Sequence, residues 1–88
     1  MSDPLARLRE FAARHPDSEV ARFSLARALV DAGRPAEARE HLEFCVTRKP
    51  DWMVAWILRG RCEQTLGDPA AARVAYEQAR ALAIAQKH

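Results

Sequence analysis

The sequence predicts an all-α protein, an antiparallel array of about five helices stacked as helix–turn–helix units. Three observations lead there. The stretch AGRPAEAREHLE (32–43) recurs almost in register as LGDPAAARVAYE (66–77), 34 residues later. Most Pro and Gly residues sit where a helix would begin or end. Between these breaks, apolar residues follow the i, i+3, i+4 rhythm of helices buried on one side.

The internal match is wider than those two segments. A shift of 34 lays Arg14 on Arg48, Pro16 on Pro50, Asp17 on Asp51, Ala21 on Ala55 and Arg27 on Arg61. It continues without a gap through Gly33 on Gly67, Pro35 on Pro69, Ala38 on Ala72, Arg39 on Arg73 and Glu43 on Glu77. A fixed period of this length is the signature of a solenoid of helical hairpins.

Each element has its own start and stop. Asp3-Pro4 offers an N-cap and a first-turn Pro, opening a helix over about 4–15 that stops before Pro16. Asp17 and Ser18 cap a second, about 19–32, and Gly33 closes it in the left-handed conformation. Pro35 opens a third, about 35–48, which Pro50 ends. The fourth runs about 52–66 up to Gly67, and Asp68-Pro69 opens the fifth, about 69–86. Links of two to four residues force neighbours to fold back antiparallel. Inward-facing sets are Leu5, Leu8, Phe11 and Ala12; Phe23, Leu25, Ala26, Leu29 and Val30; and Ala38, Leu42, Cys45 and Val46. The fourth helix is apolar around most of its N-terminal half, which suits an element packed between neighbours. On the fifth, Tyr76, Ala79, Leu82 and Ala83 pack inward and Ile84 is left over.

The repeat resembles the tetratricopeptide repeat, a helical hairpin of the same period. Residues 4–16 resemble the second helix of a preceding repeat, 19–52 a first full repeat and 53–86 a second, all in a single domain spanning 1–88. The first supplies Leu25, Ala26, Leu29, Gly33, Ala38, Leu42 and Pro50 at the positions the family keeps large, small or turn-forming. The second supplies Trp56, Gly60, Gly67-Asp68, Ala72, Tyr76 and Ala79. Four residues depart from the pattern. Arg22 stands where an aromatic is usual, and Cys45 where a small Ala is usual. Arg59 and Glu63 stand where apolar residues are usual. An unpaired buried charge is costly, so the last two are expected to pair with each other across one helical turn or to reach solvent.

The resemblance implies a non-enzymatic interaction module. In the family, the first helix of each repeat lines a concave wall that docks a peptide or a helix of a partner protein. Carried over, that wall comprises Val20, Phe23, Arg27, Val30 and Asp31 from the first repeat. The second contributes Val54, Ile57, Arg61, Gln64 and Thr65. Val20, Phe23, Arg27, Val30, Val54, Ile57 and Arg61 form the candidate partner site: an apolar patch beside two arginines at the same repeat position. A guanidinium fork suits a carboxylate, so an acidic or C-terminal segment is the natural guest. The same arginines would serve equally as solubilising surface. The alternative function is structural, a scaffold or homodimer assembling through open helical ends, because the Ala-rich fifth helix and Ile84 leave an apolar face.

Other classes find little support. Fourteen basic and twelve acidic residues, intermixed for a net charge of +2, do not make a nucleic-acid-binding surface. No apolar run reaches the ~18 residues of a membrane span, and MSDPLARLREF does not read as a signal peptide, so the expected location is the cytoplasm. The prevalence of Arg over Lys, with abundant Ala, points to a bacterial source. Cys45 and Cys62 read as free core thiols. His41 lies one turn from Cys45, but His15 precedes a Pro and His88 is terminal, which leaves no four-ligand metal set. No phosphate loop, nucleophile elbow or paired catalytic carboxylates occur, and no cofactor is expected.

Overall fold

The computed structural model describes residues 3–86. Five helices follow in order: α1 (Pro4–Arg14), α2 (Glu19–Asp31), α3 (Pro35–Arg48), α4 (Met53–Thr65) and α5 (Pro69–Gln86). The starts are chemically distinct. Asp3 accepts from the Leu5 amide at 3.0 Å, Ser18 from Ala21 at 3.1 Å and Asp68 from Ala71 at 3.0 Å. Each satisfies an amide that the first helical turn leaves unpaired. α3 and α4 begin at Arg34 and Trp52 without a side-chain cap, and Pro35 presets the first turn of α3.

The two hairpins turn by the same device. Gly33 and Gly67 adopt φ of 76° and 81°. The amides of Gly33 and Arg34 then reach back to the carbonyls of Val30 and Leu29 at 3.0 and 2.8 Å. Those of Gly67 and Asp68 reach Gln64 and Glu63 at 3.1 and 2.9 Å. This doubled closure, reproduced at the repeat spacing, ends each first helix and reverses the chain.

Neighbouring helices pack in sequence, and α2 also touches α4. The main core joins Leu25, Ala26, Leu29, Ala38, Leu42, Leu58 and Cys62, with Leu5, Leu8, Phe23 and Val30 at its margin. A second cluster of Cys45, Val46 and Ala55 is covered by Phe23, Trp52 and Trp56. Cys45 and Cys62 are free and fully buried. The indole of Trp56 donates to the Pro50 carbonyl at 2.8 Å, which ties the α3–α4 link to the helix it precedes. Arg9 and Glu37 form a two-pronged ion pair between α1 and α3.

Two inward assignments need correction. Phe11 is 49% exposed and rests on His15, ring centroids 4.7 Å apart. In α1, a helix at the edge of the array, only Ala12 is buried, so Phe11 has no second layer to enter. Ala83 is exposed, while Ala79 is buried and Tyr76 and Leu82 are half-buried. The inward stripe of α5 runs through Ala72, Ala75 and Ala79 and leaves Ala83 off that face.

α4 and α5 cross most closely at Gly60. A Cβ built there would lie 2.6–2.8 Å from the Tyr76 ring. Replacing Gly60 by Ala gains about 1 kcal/mol of helix propensity, but overpacking a tight crossing costs ~1–3 kcal/mol. We expect Gly60→Ala to lower the urea midpoint, with the loss growing for Gly60→Leu, measured by circular dichroism.

Candidate functional site

The first helices of the two hairpins, α2 and α4, lie side by side and enclose a groove. One turn of α2 contributes Phe23 and Arg27, four apart. α4 contributes Val54, Ile57, Leu58 and Arg61, spaced to return to one face. The enclosed volume is about 130 Å³. Its floor is apolar and partly open, with Val54 46% and Ile57 38% exposed. Phe23 is half-buried and held from behind by Trp52, ring centroids 4.6 Å apart.

Arg27 and Arg61 flank this floor. Both are exposed, and neither joins an ion pair among the described residues. Most other arginines of the array are committed, which makes these two guanidiniums free to receive an anion. Five of the seven residues predicted from sequence therefore share one groove. The other two do not line it: Val20 is 63% exposed one turn earlier on α2, and Val30 packs against the main core. Of the polar wall residues, Gln64 accepts from the Tyr76 hydroxyl at 2.6 Å and Thr65 donates to the Arg61 carbonyl at 3.0 Å. Leu58 and Trp52 were missed by sequence reasoning. Leu58 follows Val54 by one helical turn, a signal that could have placed it on this face.

The departures from the repeat pattern find partners elsewhere. The Arg22 guanidinium lies 3.9 Å from the Phe44 ring centroid, and its Nε donates to the Pro16 carbonyl at 2.9 Å. A flat cation stacked on an aromatic thus fills the place of an apolar ring. Arg59 and Glu63 do not pair with each other, contrary to the expected one-turn pair. Arg59 binds Glu43 at 2.5 Å, and Arg39 binds Glu63 at 3.3 Å. Both bonds cross from α4 to α3, where a carboxylate and a guanidinium already stand at matching height. They leave the 4%-exposed Glu63 with a counter-ion.

Among the described residues, cysteine and histidine do not gather into a metal-binding group, and no three His, Cys, Asp or Glu side chains are placed to hold a metal ion. The buried Nδ1 of His41 lacks a hydrogen-bond partner among them, and burial, aided by Arg22, pushes its pKa down. Burial raises the Cys45 thiol from 9.0 to about 11 and shifts Cys62 in the same direction. His88 lies outside the described residues. No helix among the described residues is long and apolar enough to cross a membrane.

Fold and groove together define an α-helical repeat array, an antiparallel solenoid of stacked hairpins. The tetratricopeptide repeat model matches residues 19–62, half of the chain, and a second model of the same description matches 53–78. A TPR repeat-containing protein of Pseudomonas aeruginosa is 40% identical over 76 residues, covering 86% of this chain and 72% of that protein. The chain belongs to the tetratricopeptide repeat family, whose repeats are generally protein–protein interaction modules.

A thiol whose folded pKa is raised binds its proton more tightly folded than unfolded. Its contribution to stability is complete below the unfolded value and is lost as pH rises through the folded one. We therefore expect stability to fall between pH 9 and about 11, the window set by Cys45. At pH 8, Ellman's reagent should label Cys45 and Cys62 slowly in the folded protein and at once in urea.

Proposed function

We propose that this protein is a non-catalytic docking module that seats a peptide or helix of a partner protein between α2 and α4. Val20, Phe23, Arg27, Val30, Val54, Ile57 and Arg61 carry the contact. The observation behind this reading is the pairing of an apolar floor with two uncommitted guanidiniums, repeated at one position of successive hairpins. A cavity of about 130 Å³ has room for one or two medium apolar side chains, not a whole helix face. The guest anchors an apolar residue over Phe23, Val54 and Ile57. It sets carboxylates, from acidic side chains or a C-terminus, against Arg27 and Arg61. Arginine forks give such a contact direction as well as charge. Val20 and Val30 extend the apolar contact along α2.

Peptides selected from a random display library on the immobilised protein test this. Acidic residues flanking an apolar anchor should be enriched. Their affinity, read from fluorescence of Trp52 beside Phe23, should fall by about tenfold or more in Arg27→Glu/Arg61→Glu, since reversing both charges turns attraction into repulsion. Recovery of no peptides, or equal affinity for the variant, removes the proposal.

A further inference from the structure

Three helices carry an Arg followed four residues later by a Glu: Arg39 and Glu43 on α3, Arg59 and Glu63 on α4, Arg73 and Glu77 on α5. The first two motifs clasp each other. Arg39 meets Glu63 and Glu43 meets Arg59, so each motif offers its cation to the other's anion. The exchange works because α3 and α4 run antiparallel. A motif arranged in this way is self-complementary: two antiparallel helices that both carry it satisfy each other about a local two-fold axis.

The motif of α5 occupies the same repeat position as that of α3, 34 residues on. On α3 both groups are used by α4. On α5 the side chains of Arg73 and Glu77 are 80% and 64% exposed and turn to each other at 3.0 Å. They begin a stripe, Arg73, Glu77, Arg80 and Ile84, whose i, i+4, i+7, i+11 spacing keeps it on one face. Ile84 is 65% exposed, among the most open large apolar side chains described. Beside the stripe, Tyr76 and Gln64 border a groove of about 370 Å³.

We propose that α5 is a dimerisation helix whose occupant is a second copy of this chain, docked antiparallel, with Arg73 of each copy on Glu77 of the other. Two-fold dimers join identical patches, so one self-complementary motif is sufficient. The register copied from the α3–α4 clasp also carries Ile84 of each copy to the N-terminal end of the other's α5, beside the exposed Pro69. The ion pairs set orientation and register, because exposed pairs add little net attraction. Apolar contact at the two ends supplies the rest. This surface shares no residue with the α2–α4 groove, so it stands or falls independently of the peptide-docking reading.

Sedimentation velocity of the full chain tests it at about 100 µM, well above a micromolar dissociation constant. The wild type should sediment as a dimer. Glu77→Arg and Arg73→Glu should each weaken self-association by about tenfold or more, because like charges then face across the axis. Mixing these two variants should restore a dimer, as should the exchange Arg73→Glu/Glu77→Arg in one chain. Ile84→Glu should dissociate the dimer, and Arg27→Glu/Arg61→Glu should leave it unchanged. Circular dichroism monitors folding, which these exposed positions leave intact. A monomeric wild type, a dimer indifferent to Glu77→Arg, or a variant mixture that stays monomeric overturns the proposal.

Discussion

Everything in this array depends on how closely its helices can approach. Eight of the fifteen buried apolar residues are Ala, and Gly60 brings α4 against the Tyr76 ring with no room for a methyl group. Thin side chains at the crossings give close, extensive contact between backbones. They also leave a thin core, which is the ordinary burden of a chain this short. The few large buried residues, Leu29 and Leu42 above all, carry much of the burial. Larger apolar side chains that the interior cannot admit are left outside, and some of these form the groove.

The groove follows directly from that economy. α2 and α4 are the first helices of successive hairpins and lie side by side, so the same face of the repeat appears twice. Phe23 is held by Trp52, and Val54 and Ile57 stand open because no helix covers them. Arg27 and Arg61 recur at one repeat position and remain uncommitted. Most of the other arginines are occupied, among them Arg9 with Glu37, Arg22 over Phe44, and Arg39 and Arg59 with Glu63 and Glu43. The charge distribution separates the arginines that join helices to one another from the two that flank the groove.

The clasp between α3 and α4 shows how a repeat can carry charge where its relatives carry apolar residues. Arg59 and Glu63 would be expensive as lone buried ions, and one turn of helix would let them neutralise each other. They instead reach in opposite directions along α3. That choice neutralises four groups and pins the register of two antiparallel helices. A local pair would have done only the first.

The sequence by itself determined the helices, their order and their ends. Asp3, Ser18 and Asp68 act as caps through hydrogen bonds to nearby amides, and Gly33 and Gly67 act through a backbone angle their neighbours cannot easily take. Those are local events, and the 34-residue repeat said how the hairpins would stack. The family resemblance, not the period alone, singled out seven candidate residues, and five of them line the groove between α2 and α4. Tertiary structure decided the rest: Phe11 outside, Leu58 in the groove, and Arg59 and Glu63 bound to α3 rather than to each other. Each of these depends on what a neighbouring helix, distant in sequence, places within reach. A helical period gives a residue's face, and only the packed neighbour gives its partner.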